Sequence, residues 1–202
     1  EKHLTMEFGV EEMIIGNHIN ASIYFTDIDD YITTYRVSDG TYDNTVNDAR
    51  VYKNVDATIW GYEISLARKL TQNVKTKINV NYTNGNDDTQ NRPLPQIMPL
   101  SGNIVLDYES ISSNYGVRLN FSDSQDRFDS RVLDTGKTGG FTTIDLFVGF
   151  ELAPGMDLNL GISNITDKRY SSHLSNANVL DASATKVDEP GRSIWGSVIY
   201  DF

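Results

Sequence analysis

Gly191-Arg-Ser-Ile-Trp-Gly-Ser-Val-Ile-Tyr-Asp-Phe202 closes the chain and reads as a single β-strand. Ile194, Val198, Tyr200 and Phe202 fall on one face, with Gly196 among them. Ser193, Ser197 and Asp201 fall on the other, which also carries Trp195 and Ile199. The last residues of a soluble domain usually fray into solvent. A strand that stays apolar to its final residue needs a pairing partner and an oily cover for one face. An outer-membrane β-barrel supplies both, with lipid on one side and a polar lumen on the other.

The same period-2 alternation runs back through the chain, while helical periodicity is scarce. Leu4, Met6, Phe8 and Val10 alternate with Thr5, Glu7 and Gly9, and Ile19, Ala21, Ile23 and Phe25 with Asn20, Ser22 and Tyr24. Segments around Trp60–Leu66, Ile78–Tyr82, Leu100–Tyr108, Tyr115–Phe121, Ile144–Phe150 and Leu158–Ile162 follow the same rule. With the closing segment these make about nine strands, all up-and-down. Short connections (15–17, 70–73, 109–113, 153–155) take turns with long polar ones (37–49, 84–98, 122–140, 165–190). Short turns at one end and long loops at the other are the asymmetry of outer-membrane barrels. The fold class expected is therefore all-β, an antiparallel up-and-down transmembrane β-barrel. Nine is odd, and antiparallel strands close cleanly only in even number. The first strand would also leave a bare edge, so the expectation is the C-terminal piece of a larger barrel.

Composition agrees. Of 202 residues 39% are hydrophobic, which suits strands that are polar on one side, and 11 Tyr and 8 Phe suffice for interfacial girdles. No run of eighteen apolar residues is present, so no transmembrane helix is expected. A net charge of -11 argues against nucleic acid as a partner. With no cysteine, disulfides, thiolate metal sites and Cys nucleophiles are all excluded. The three histidines, His3, His18 and His173, lie far apart and none sits in a nucleophile motif, so no enzyme and no cofactor is expected. Gly136-Lys-Thr-Gly-Gly140 lacks the spacing of a phosphate-binding loop.

Four segments carry a family resemblance. Asp27-Ile-Asp-Asp-Tyr-Ile32 resembles the strand end before an extracellular loop in TonB-dependent outer-membrane receptors. Tyr52-Lys-Asn-Val-Asp-Ala-Thr-Ile-Trp-Gly-Tyr-Glu63 is similar to their Y-x-N-x-x-x-A-x-x-x-G-x-E strand, with the small residue shifted by one. Gly161-Ile-Ser-Asn-Ile-Thr-Asp-Lys-Arg-Tyr170 resembles their V-x-N-L-F-D-K-x-Y segment, and Glu189-Pro-Gly-Arg192 the start of their C-terminal signature. The four occur in the family's order across essentially the whole chain. The resemblance implies the last nine or so strands of a twenty-two-stranded barrel with a plugged lumen, the plug and TonB box lying outside this chain. It implies a receptor that imports a metal chelate, such as a ferric siderophore, or a metal ion with energy relayed by the TonB complex to the plug. Its implied setting is the outer membrane of a Gram-negative bacterium, among lipid and lipopolysaccharide and inserted by the barrel-assembly machinery. Pro93-Leu-Pro-Gln-Ile-Met-Pro-Leu100 and Tyr170-Ser-Ser-His-Leu174 are similar to the copper-receptor branch, although the proline run also occurs in siderophore receptors. A passive porin-like barrel and a soluble β-sandwich binding module are the alternatives.

Individual residues carry less. Glu63, on the lumen side, either bonds the plug or is a solvated lumen carboxylate. Arg192, after Gly191, either pairs with a loop carboxylate or lipopolysaccharide phosphate or is a plain loop-end cation. His173 and Met98 are the donors in long loops that would suit copper, but one His and one Met do not define a site. The loop carboxylates Asp39, Asp43, Asp48, Asp87, Asp88, Asp123, Asp126, Asp129 and Asp134 are expected to be solvated, with divalent-cation binding the alternative. Tyr200 and Phe202 face lipid and resemble the terminal signal read by the assembly machinery.

Overall fold

The structure, a computed structural model, describes residues 1–14, 17–37, 49–129, 136–175 and 186–201. Nine long strands lie side by side in sequence order in one sheet, every neighbouring pair antiparallel: β1 (Lys2–Ile14), β2 (Asn17–Val37), β3 (Ala49–Lys69), β4 (Val74–Asp87), β6 (Ser101–Glu109), β7 (Ser113–Ser122), β8 (Phe141–Ala153), β9 (Met156–Ser163) and β10 (Ser193–Tyr200). A two-residue strand, β5 (Arg92–Pro93), pairs back onto the end of β4. The expected strands and their order are all present; β5 is the addition. The sheet is open, with β1 and β10 as its two edges.

Along the middle of the sheet, register carries apolar positions onto apolar neighbours. Phe8 pairs with Ile23, Ile23 with Tyr62, and Tyr62 with Tyr82. Further along, Ile78 pairs with Ile104, Leu106 with Val117, Val117 with Leu146, Leu146 with Ile162, and Ile162 with Ile194. A one-residue slip anywhere would move a whole strand's apolar set to the other face. The resulting surface stays uncovered: Phe8 is 74% exposed and Ile194 80%. In water that would be an aggregation surface; against lipid it is the outward face of a barrel wall.

Aromatic residues bracket this face in two groups. Trp60, Tyr62 and Tyr82 pack with ring centroids 5.4 and 5.6 Å apart at the long-loop end. Tyr108, Tyr115 and Phe150 pack at 6.4 and 6.0 Å at the short-turn end. On β4 the two levels fall at Asn84, opposite Trp60, and Val74, opposite Tyr108. Those ten residue steps span about 33 Å along the strand, or about 25 Å of height at a tilt near 40°. That height matches the apolar band of an outer-membrane barrel.

The other face is a polar lattice. Ser65 donates to Asn79 Oδ1 at 2.8 Å, Asn79 to Asn103 Oδ1 at 3.1 Å, and Asn120 to Asp145 Oδ2 at 3.0 Å. Glycines admit aromatic rings lying flat on this face. A Cβ on Gly116 would stand 2.1 Å from the Phe147 ring, and one on Gly161 2.3 Å from the Trp195 indole. The indole that breaks the polar alternation of the last strand thus covers a backbone gap on β9.

Strands β2 and β3 run past the aromatic band. Asp27–Ile32 lies within β2 and holds a bulge between Ile28 and Tyr31, with Asp30 at φ 59°, after which pairing resumes to Val37, where the long connection was expected to begin. Asp tolerates the left-handed region better than most residues, so the extra residue is absorbed and the ladder continues. At 21 residues each, these strands are about twice as long as a membrane crossing requires.

Candidate functional site

The described parts of the long connections lie at one end of the sheet, and packing joins those that follow β4, β7 and β9 to each other. Pro93–Leu100, rather than standing out in solvent, folds back over the sheet end. The Leu94 amide donates to Gly85 O at 3.1 Å. Leu94 is buried with Ile28 and Ala57, and Tyr31, Ile59 and Ile97 pack around them. Gly85 makes room, since a Cβ there would sit 3.0 Å from Leu94 Cδ1 and Ile97 Cδ1. Gln125 Nε2 holds the segment from the next loop by donating to Ile97 O at 2.7 Å. A cavity of about 230 Å³ remains between Pro93–Leu100 and Asp123–Arg127.

Below this segment lies a buried charge cluster. Arg92 Nε donates to Asp87 Oδ2 at 2.9 Å, and its Nη1 stands 3.1 Å from Asp129 Oδ2. All three side chains are under a tenth exposed. Asp87 also accepts from the Gln90 amide at 2.9 Å. The solvated reading therefore fails for Asp87 and Asp129. One guanidinium between two carboxylates makes their burial tolerable, and it ties 87–92 to 129. Other loop carboxylates are spent locally: Asp88 accepts from Thr58 Oγ1, Asp126 pairs with Lys137 at 2.7 Å, and Asp123 accepts from the Ser124 amide. Asp39, Asp43, Asp48 and Asp134 lie outside the described residues.

A second knot joins the last two loops. Thr138, bridged by backbone to Gln125, has its Oγ1 2.9 Å from His173 Nδ1. Lys186 Nζ donates to Thr138 Oγ1 at 2.6 Å and to His173 O at 2.8 Å, and lies 3.4 Å from His173 Nδ1. His173 is 5% exposed and Lys186 8%. An ammonium beside Nδ1 repels a metal cation, so this nitrogen is poorly suited to copper. Met98 sits half-buried in the folded-back segment. Among the described residues no three His, Asp or Glu converge to hold a metal ion. Next to the knot, Asp188 accepts from Ser171 Oγ at 2.7 Å and pairs with Arg169. The Ser171 hydrogen bond, followed by Arg169, holds its carboxyl below the ordinary range. The Tyr170 ring lies on Phe141 at 4.1 Å, and burial, reinforced by Glu189 and Asp145, pushes its phenol up.

The Asn164 turn fastens β9 to the start of β10. Asn164 Nδ2 donates to Lys168 O at 2.8 Å, while its Oδ1 accepts from the Lys168 amide at 2.9 Å. Its own amide donates to Asp145 Oδ1 at 2.8 Å. Asp167 then accepts from the Arg192 amide at 2.8 Å, and Arg192 Nη2 lies 3.8 Å from Asp167 Oδ2. A Cβ on Gly191 would stand 2.7 Å from Asp167 Oδ1, so a larger residue there would displace the carboxylate that receives the Arg192 amide. Glu63 is exposed on the polar face between Ser22 and Asn81. Tyr200 pairs with Met156 on the apolar face, and Phe202 lies outside the described residues.

Among the described residues singled out from sequence, Gly191 and Arg192 come together through Asp167, and Asp87 and Asp129 through Arg92. Arg92, Thr138 and Lys186, which hold the loops to each other, gave no sequence signal, because a loop cation or hydroxyl reads as solvated until its partner is known.

A wall of antiparallel strands with a lipid-facing band, a polar inner face and an interlocked loop end defines a segment of an outer-membrane-type β-barrel. The model of the TonB-dependent receptor-like β-barrel matches residues 1–165, and the chain belongs to this family. No curated protein sequence matches it. Among solved structures it is similar to the copper transporter OprC, with 28% identity, a TM-score of 0.90, and coverage of 99% of this chain and 31% of that one. It is also similar to a ferric enterobactin receptor from Pseudomonas aeruginosa (19% identity, TM-score 0.73, coverage 99% and 31%). The siderophore receptor PirA from Acinetobacter baumannii follows (19% identity, TM-score 0.72, coverage 99% and 32%). The chain thus spans about a third of the length of the structures it matches.

Proposed function

We propose that this chain is wall and loop rim of a TonB-dependent outer-membrane transporter, not an enzyme, and that the whole receptor imports a metal species, copper first among the candidates. The observation that carries the copper reading is the gap in similarity: a TM-score of 0.90 to a copper transporter against 0.73 and 0.72 to siderophore receptors at equal coverage of this chain. The Pro93–Leu100 fold-back and the Tyr170–His173 knot, both built on segments similar to that branch, support it. Neither supplies a copper ligand set here, so the reading puts the coordinating residues in the remainder of the receptor. Ferric chelates are the second reading, favoured by the likeness to siderophore receptors.

The test is a deletion strain in a Gram-negative host, complemented with the full receptor, under copper or iron limitation. Accumulation of labelled copper that requires both the receptor and TonB is expected. Receptor-dependent uptake of a ferric siderophore instead would move the cargo to iron. Uptake independent of TonB would overturn active transport in favour of a passive pore.

A further inference from the structure

Beside the Thr138–His173–Lys186 knot lies a cavity of about 370 Å³ whose lining includes Lys137, Lys168, Arg169 and Lys186 against a single carboxylate, Asp188. On a chain with 28 acidic and 17 basic residues, four cations around one opening are a local inversion of charge. We propose that this cavity is an anion-binding site that takes a phosphate-type oxyanion at the loop end of the barrel.

Three features build it. First, the cations come from three segments, Lys137, Lys168–Arg169 and Lys186, so the field converges from different sides. Second, they differ in availability. Lys186 is buried on Thr138 and His173 and supplies fixed charge at the floor. Arg169 shares Asp188 with Ser171, and Lys137 pairs with exposed Asp126. Lys168 is exposed and, among the described residues, has no ion-pair partner for its ammonium. An entering anion therefore meets one uncommitted ammonium and two cations whose existing pairs are exposed and weak. Third, Gly139 and Gly140 line the opening between Thr138 and Phe141, and a Cβ on Gly139 would meet nothing within 4 Å. With no side chain at either position, an anion can approach the cations closely from this side. Phosphate suits this set because it spreads charge over several oxygens reachable by separate point charges. The cavity also has room for more than the bare ion, which admits a phosphorylated glycolipid headgroup or a free phosphate compound.

The extracellular position rests on the membrane reading above; the binding does not, and is measured without transport. The full receptor, purified in detergent, is titrated with pyrophosphate by calorimetry, and bound lipopolysaccharide is quantified by mass spectrometry. The wild type is expected to bind pyrophosphate with an affinity that falls as salt rises. K168Q/R169Q should bind at least about tenfold more weakly, as loss of two charge-assisted contacts implies. K75Q, at the opposite end of the sheet, should bind like wild type. Heat-modifiable gel mobility checks that each variant keeps its barrel. Lipopolysaccharide retained by wild type and lost from K168Q/R169Q identifies the lipid headgroup as occupant; pyrophosphate binding alone identifies a soluble one. No binding by wild type, or equal binding by K168Q/R169Q, overturns the site.

Discussion

Replacing Asn164 isolates what holds β9 to β10 at the loop end. Its side chain makes two hydrogen bonds to Lys168, one donated at 2.8 Å and one accepted at 2.9 Å, from a position only 4% exposed. Its backbone sits at φ 50°, which Asn accepts more readily than Ala. Asn164→Ala loses both bonds, about 1 kcal/mol each, and adds a left-handed alanine for about 1 kcal/mol more. The local total is about 3 kcal/mol, or about a hundredfold in the opening equilibrium of the turn. Asn164→Gly loses the same bonds but removes the backbone conflict, so about 2 kcal/mol, or roughly thirtyfold, is expected. A barrel of this kind need not unfold in two states, so the readout is local. Hydrogen exchange of the full receptor reports the amides of Asp167 and Lys168, bonded within the turn, and of Arg192, bonded to Asp167. Faster exchange of all three amides, in the order Ala over Gly over wild type, is the expected pattern. If both variants stay within about twofold of wild type, this turn is held by something other than Asn164.

Arg92→Gln should be the most damaging single change at the loop end, because it strands Asp87 and Asp129 in a buried site at a local cost of about 3–5 kcal/mol. Proteolysis within 88–100 measures it, and D87N/D129N added to R92Q should restore much of the resistance. Gly161→Ala should lift the Trp195 indole from β9; N-bromosuccinimide footprinting of the full receptor with peptide mapping should show faster oxidation of Trp195, and an unchanged rate would count against the stacking. The Arg169–Asp188–Ser171 strap should depend on pH. A carboxyl held below its ordinary value stabilises the fold above the unfolded value and loses that contribution as pH falls through the depressed one. Exchange protection of 186–189 should therefore persist at neutral pH and fall under acid. Ser171→Ala should move that loss to higher pH, and a loss that does not move would remove Ser171 from the account.

Strand order, the two faces and the alternation of connection lengths were legible because each follows from side-chain period. Phe8, Ile23, Tyr62 and Tyr82 share a face by parity alone, and pairing only had to line them up. Past Ile28 and Ala57 the signal fades, because those strands leave the lipid and apolar residues are no longer confined to one side. The lengths of β2 and β3 were nevertheless bounded by the connections at 15–17, 37–49 and 70–73; the bulge at Asp30 was not legible. Pro93-Leu-Pro-Gln reads as loop because proline removes donors. What folds it inward is Gly85, eight residues upstream, whose missing side chain carries no local hint of its use. His173 stood out as a soft donor, yet its surroundings are set by Thr138 and Lys186, 35 and 13 residues away in sequence.

The two buried knots have a consequence for how the loop end responds to contact. Arg92 fastens 87–92 to 129, and Lys186 with His173 fastens 138 to 173 and 186, while Gln125 joins 97, 125 and 138. These described parts therefore form one linked series, not separate tethers. Contact at any of these linked positions does not have to order each in turn, because the fold already holds them. The ordering entropy that binding there would cost is correspondingly smaller. A push at one link is passed along the series.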